Sequence, residues 1–442
     1  MLRVKFLKVV SLIALLILFA NCNGGGGGSS GGGGYYGGGG GSSGGGGSSG
    51  GSGGGGSSGG GTVVTNVFTL PYAMYGHEAT LLYGGDKILL TGGFNSSNNP
   101  SDQTVIYNSY TGNFLYPLSN LNKRRSNHKA TYLTKGGSRA PQDSVLITGG
   151  EGLSFITNDA EYYDDVLDNF VTTQSSMIDD RKRHSSTEIR CNGCSLDGYV
   201  LIAGGRDNFG VLDTAELFNP NTGQFIAVSD RMVRPREHHS ATLLPDGRVL
   251  LVGGHTPTGV TKTAEIFDPR TLRFTAASNM MSDPRQMHRA ILVGNRTVNT
   301  ADDAVLVVGG LDDLDLVVDT GDLFDLVFDD FAKLTDTLVK PVFHEAVEKL
   351  DNSFVSDAAV LGGYTDFNPA NPLDSDATSA VEYFRYSFTG NKPDGFFLST
   401  PPTMERARAL HSATLVRNGS GPIIVIGGVD TLGSARSSGE KF

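Results

Sequence analysis

Tryptophan is absent from this 442-residue chain, cysteine occurs three times, and cations are outnumbered by anions, 35 to 46. Each scarcity excludes something. Of the three cysteines, only Cys191 and Cys194 lie close together, in "CNGCSLDG". A zinc site would need two further ligands, and there is no second pair to supply them. In an exported protein such a pair reads as a local disulfide. A redox role would want a helix N-terminus to stabilise a thiolate, and a turn between strands supplies none. The formal net charge is −11. Phosphate would be repelled over the whole surface, so general nucleic-acid binding is excluded. Only two of the nine histidines, His238 and His255, stand outside the repeat described below. Two are too few for zinc or copper without identified partners, so no metal or cofactor is expected.

A membrane-spanning run is also lacking. The apolar stretch from Val9 to Ala20 is twelve residues long, short for a span and suited to a signal-peptide core behind Arg3, Lys5 and Lys8. It ends in "LFANC", which resembles a bacterial lipobox with Asn21 where Gly, Ala or Ser is usual. Residues 1–21 are therefore expected to be a lipoprotein signal peptide and Cys22 the lipidated residue. Loss of the three cations would take the net charge from −11 to −14. Residues 24–61 hold 27 Gly, 9 Ser and 2 Tyr and no charge, so nothing offsets the entropy of ordering them. As a Gly-rich coil they would span roughly 35 Å. Residues 22–61 thus read as a lipidated cysteine and a flexible tether, and residues 62–442 as the folded part.

What the folded part does contain is repetition. "HSATLLPDGRVLLVGG" at 239–254 returns as "HSATLVRNGSGPIIVIGG" at 411–428. The unit has four parts: a His-x-small-Thr strand, an apolar strand ending in Gly-Gly, a Glu-x-aromatic strand, and a strand carrying Phe. Its histidines are His77, His128, His184, His239, His288, His344 and His411, and seven Gly-Gly pairs run from Gly92-Gly93 to Gly427-Gly428. An aromatic is followed seven residues later by Phe in five units, from Tyr107/Phe114 to Phe324/Phe331. Glu161, Glu216, Glu265, Glu382 and Glu440 stand two residues before the aromatic position, with Val105 and Asp322 in the other units. Runs such as "KILLTGG" and "PIIVIGG" suit strands buried on both faces. Four strands per unit of about 50 residues is the pattern of a propeller blade.

These motifs resemble the kelch repeat family, across about residues 62–442. Phe stands on the fourth strand where many kelch repeats place Trp. The resemblance implies an all-β, seven-bladed propeller. The chain stops at "SGEKF", on the third strand of the seventh blade, while "VTNVFTL" at 63–69 stands where fourth strands stand elsewhere. That N-terminal strand is expected to complete the last blade and leave no open edge.

One histidine per blade at a fixed position is expected to be structural. Arg125, Arg181, Arg236, Arg285 and Arg408 lie three residues before it, with Met74 and Pro341 in the other blades. In a propeller they belong to the segments leading into the innermost strands. The expectation is a basic ring at one mouth of the channel, able to hold a carboxylate or phosphate; the plainer alternative is pairing with blade carboxylates. In kelch-like propellers this face commonly binds peptides. Glu78, Glu237, Glu345 or Glu405 could set a carboxylate beside the ring, as an enzyme resembling the sialic-acid mutarotases would need. A galactose-oxidase-like copper site is disfavoured, because the two cysteines other than Cys22 read as paired with each other. The eight Asp between 312 and 330 match no calcium-binding loop. The expected function is an exported, lipid-anchored module of the bacterial cell envelope that binds an anionic protein or glycan. A carbohydrate-active enzyme and a purely structural envelope component remain open alternatives.

Overall fold

The computed structural model describes residues 66–294, 303–344, 346–350, 358–368, 375–389, 392–398, 403–416 and 421–441. The expected signal peptide, Cys22, the tether and Glu345 lie outside the described residues.

Seven four-stranded antiparallel sheets follow one another along the chain. Blade 3 is representative: Ser185–Glu188, Val200–Ala203, Ala215–Asn219 and Gln224–Ala227 pair in sequence order. The second strands are the most buried elements, with Val200, Leu201, Ile202 and Ala203 at most 1% exposed. They lie between two blades, so both of their faces must be apolar. The aromatic positions of the third and fourth strands meet as cross-strand neighbours. Phe218–Phe225 and Phe267–Phe274 have ring centroids 5.0 Å apart, a contact worth about 0.5–1.5 kcal/mol beyond area burial. Blade 6 departs from the common size. Its last two strands, Val381–Thr389 and Lys392–Leu398, form a longer hairpin, and Phe384 still meets Phe397 at 5.3 Å.

Blade 7 contains Ser412–Leu415, Ile423–Ile426, Ser438–Lys441 and, as its outer strand, Asn66–Thr69. Asn66 pairs with Lys441 and Thr69 with Ser438. The ring is closed by the N-terminal strand, as the sequence suggested. Thr69 lies at the Gly-Gly end of the blade and Asn66 at the opposite end, beside the turns joining first to second and third to fourth strands.

The repeat residues explain how blades join. The first glycine of each pair faces the next blade. A Cβ on Gly253 (φ +62°) would lie 2.5 Å from the Arg285 carbonyl oxygen and 2.8 Å from Cε1 of His288. The second glycine donates its N–H to that same carbonyl: Gly254 to Arg285 at 2.8 Å, Gly93 to Arg125 at 3.0 Å, Gly428 to Met74 at 2.8 Å. Histidine ties adjacent blades through a hydroxyl. His128 Nε2 meets Thr91 Oγ1 at 3.1 Å, His288 Nε2 meets Ser240 Oγ at 2.9 Å, and His77 Nε2 meets Ser412 Oγ at 2.9 Å across the closure. Burial holds these rings neutral, lowering His77 to about 4 and His288 to about 3.

Blade 6 corrects the histidine series. In the other blades the residue before the repeat histidine has positive φ: Gly76, Asn127, Arg183, His238, Met287 and Leu410. In blade 6 that residue is His344, at φ 53°. His344 therefore takes the place of His238, not of His239, and the repeat-histidine position falls on Glu345. The arginine position moves with it, from Pro341 to Val342, whose carbonyl accepts the Gly310 N–H.

Candidate functional site: the channel mouth

The five arginines do not ring an open mouth. Each is at most 1% exposed and turns into its own blade. Arg236 donates through NH1 to the carbonyls of Gly253 (2.6 Å) and Thr263 (3.1 Å), and its Nε and NH2 reach Glu265 Oε1 at 2.9 and 2.6 Å. The other oxygen of Glu265 accepts the Val233 N–H at 2.6 Å. Arg125–Glu161, Arg181–Glu216, Arg285–Asp322 and Arg408–Glu440 repeat the clamp. One guanidinium thus ties the segment approaching the first strand to the ends of the second and third. In blade 1 both partners are apolar, Met74 and Val105, at 2% and 0% exposure. Blade 6 keeps the acid without the cation: Glu382 accepts the N–H groups of Val339 and Lys340, and burial pushes its carboxyl above the usual range.

The other sequence candidates are scattered. Glu78 pairs with Lys129 at 2.8 Å in the channel wall. Glu405 is exposed, and its N–H donates to Glu440. Cys191 and Cys194 are joined to each other, with Cys191 in the core cluster that contains Ile189 and Val249. The Asp residues of blade 5 serve separate ends: Asp322 holds Arg285, Asp325 accepts the N–H groups of Val327 and Phe328, and Asp329 pairs with Arg248.

The mouth itself is built by residues beside the repeat motifs. The positive-φ residues form a throat. Gly76 N–H donates to Leu410, Leu410 to His344, His344 to Met287, Met287 to His238, His238 to Arg183, and Arg183 to Asn127. Above it, the residue two before each repeat-histidine position bridges the residue that follows Gly-Gly. These seven bridges divide by chemistry. In blades 5, 6, 7 and 1 they are Gln286/Leu311, Phe343/Tyr364, Ala409/Val429 and Tyr75/Phe94, and all but Gln286 pack into one apolar cluster. In blades 2, 3 and 4 they are Ser126/Glu151, Lys182/Arg206 and Glu237/His255.

The polar half is a connected network. Glu151 accepts from Asn127 at 2.7 Å and pairs with Lys182. Glu237 lies between Arg206 (2.7 Å) and Arg183 (3.3 Å), with His255 Nδ1 at 3.8 Å. Burial pushes the Glu237 carboxyl up, but Arg183, Arg206 and His255 outweigh it and hold it below its usual range. Burial lowers His255 against the pull of Glu237. Arg183, Arg206 and Lys182 face Glu151 and Glu237, three basic groups to two carboxylates on an acidic protein, and burial lowers Lys182 below the usual lysine range. Glu237 and His255 stand out in the sequence; Arg206 and Glu151 do not. Aligning the residue after each Gly-Gly would have found both.

Residues 238–281 match the family described as Kelch motif. They cover blade 4, from the throat residue His238 to Met281, which packs behind Gly253. The match covers one blade, and six more of the same plan surround it. The chain is a kelch-repeat propeller. No curated protein matches the propeller closely enough to lend it a ligand.

The mouth is fringed by apolar side chains. The loops following Gly-Gly expose Leu153, Phe155, Phe209, Leu314, Leu316 and Leu432, from 60% for Leu316 to 97% for Phe209. All rise on the face opposite Asn66. They stand on separate loops of blades 2, 3, 5 and 7, and loops that vary on a rigid scaffold are where contacts are usually made.

Proposed function

We propose that this propeller is a lipid-anchored binding module of the bacterial cell envelope, and that its mouth takes an anionic group on a protein ligand. The observation that carries the reading is the asymmetry of the bridge tier: a cation-rich half in blades 2 to 4, fringed by Leu153, Phe155 and Phe209, beside a sealed apolar half fringed by Leu314, Leu316 and Leu432. A protein ligand would set a carboxylate against Lys182 and Arg206 and apolar side chains against Phe209, Phe155 and Leu432. The basic n-region, the lipobox-like "LFANC" and the Gly/Ser tract support anchoring through Cys22. Asn66, the first described residue, lies at the end of blade 7 away from the mouth.

The test is a solid-phase screen of the full-length protein against matrix proteins, acidic peptides and acidic glycans, with Lys182→Ala/Arg206→Ala beside it. A saturable ligand weakened at least tenfold in the variant, and weakened by salt, supports the reading. Binding indifferent to both refutes it.

Glu237 favours a second reading. A carboxylate held between two guanidiniums beside a histidine has the composition of an acid–base site for sugar anomer exchange. A one-dimensional NMR exchange assay with sialic acid separates the two: accelerated anomer exchange, lost in Glu237→Gln, makes the propeller an enzyme.

A further inference from the structure

A second cleft lies beside the blade 1 part of the bridge tier, between the loop at 94–103 and the segments approaching blades 1 and 2. It has a volume of about 200 Å³, below the roughly 300–1,000 Å³ of pockets that enclose drug-sized ligands. It fits one small ring. Met74, Phe94 and Pro100 supply an apolar wall and are buried. The polar lining includes Tyr72, Gln103, Asp102 and Arg124.

Two features mark the cleft as built for a polar guest. The Tyr72 hydroxyl is buried without a hydrogen-bond partner among the described residues, a state that normally costs about 1–3 kcal/mol. Its charge state is secure, since burial and the nearby Tyr116 and Asp102 push its pKa up, so it stays a neutral donor. Arg124 Nε and the Asp102 carboxylate stand 3.8 Å apart, too far for a hydrogen bond. Both side chains are partly exposed and line the same cleft as a loose pair, one donor and one acceptor.

Charge decides the ligand class. An anion placed at Arg124 meets Asp102, and a cation placed at Asp102 meets Arg124. A neutral ligand with adjacent hydroxyls satisfies both, since each hydroxyl donates and accepts. The hydroxyl of Tyr72 and the amide of Gln103 add two further neutral partners, and the apolar wall takes the C–H face of a ring. We infer that this cleft is a binding site for a single neutral sugar ring, one that shares Phe94 with the bridge tier of the mouth but is independent of the function proposed there.

The experiment is saturation-transfer NMR on the full-length protein, with methyl glycosides of glucose, galactose and mannose, N-acetylglucosamine, and glycine and alanine as zwitterionic probes. At least one sugar should bind saturably. Tyr72→Phe should weaken it about fivefold, the scale of one neutral hydrogen bond, while the melting temperature holds or rises. Asp102→Asn should weaken it tenfold or more, the scale of a hydrogen bond to a charge. The inference is overturned if no sugar of the panel binds at 50-fold the concentration of protein-saturating controls, about the millimolar range of weak ligands. It is equally overturned if binding ignores both variants, if only the amino acids bind, or if Tyr72→Phe lowers the melting temperature and leaves binding intact, which would make the hydroxyl structural.

Discussion

Changing Arg236→Met should destabilise the propeller severely, and a second change should rescue it. Arg236 is 1% exposed and Glu265 is 0% exposed. Removal of the guanidinium leaves a carboxylate that still accepts the Val233 N–H at 2.6 Å but has lost its counter-charge. Breaking a buried pair from one side costs about 3–5 kcal/mol. Glu265→Val leaves Arg236 on two carbonyls with no anion and should cost a similar amount. Blade 1 gives the compensated form within the same chain: Met74 and Val105 occupy these two positions and pack together with Leu70 and Ile88. The double variant should therefore lie within about 2 kcal/mol of the parent, because well-packed apolar residues replace buried ion pairs at little cost. The coupling between the two sites would then be at least about 4 kcal/mol, well beyond ordinary additivity error. Urea unfolding followed by circular dichroism reads this directly. At a slope of about 3 kcal/mol/M, each single variant should lower the midpoint by roughly 1–1.7 M, and the double variant by much less. A double variant as unstable as the two single losses combined would refute the clamp.

Other perturbations follow from the same geometry. Gly253→Ala should abolish soluble expression or cost more than about 3 kcal/mol, because the backbone is at φ +62° and the Cβ would lie 2.5 Å from a carbonyl oxygen; yield and thermal melting check it. Glu382→Gln should be neutral or stabilising at pH 7, unlike Glu265→Gln. The folded pKa of Glu382 is raised, so its contribution falls as pH rises above the usual carboxylate range, and the amide should remove that part of the pH dependence in urea titrations. The buried histidines act in the opposite sense. His77 is held at about 4 and His288 at about 3, against about 6.5 unfolded. Their contribution is complete above pH 6.5 and is lost as pH falls, by about 1.4 kcal/mol per pH unit for each ring. Unfolding midpoints measured from pH 7 down to pH 5 should drop steeply, and His288→Gln should make the drop shallower.

The repeat was legible because each blade spends its most distinctive residues on the same contacts. Gly-Gly is needed wherever one blade's carbonyl crowds the next, and the Phe of the fourth strand must meet the aromatic of the third. Blade 6 misled the reading. "VFHEAV" carries a histidine one residue early, and identity alone cannot distinguish the throat position from the packing position; the positive φ of His344 does. The arginines leave two readings open, a basic ring or pairs with blade carboxylates. Their count and spacing were plain, but whether a guanidinium faces a channel or a blade depends on its acid partner. The clue was present: Met74 and Val105 change together in blade 1. A buried Leu or Met seven residues before the repeat-histidine position, from Leu70 to Met404, also went unread, because its partners are glycines of a neighbouring blade. The mouth was hardest to see. Its chemistry sits on residues flanking the motifs, where one blade has Arg206 and another Val429, and variation there carries no periodic signal.

The most direct measurement compares two variants on whichever ligand the screen returns. One is Lys182→Ala/Arg206→Ala, which empties the polar half of the mouth. The other is Arg236→Met/Glu265→Val, which removes a buried clamp while keeping the blade. If the arginine ring is scaffold and the bridge tier is the binding face, affinity should fall at least tenfold in the first variant and stay within about twofold in the second. Affinity lost in the second variant with its fold intact, and kept in the first, would contradict the account and return the ligand to the buried arginines.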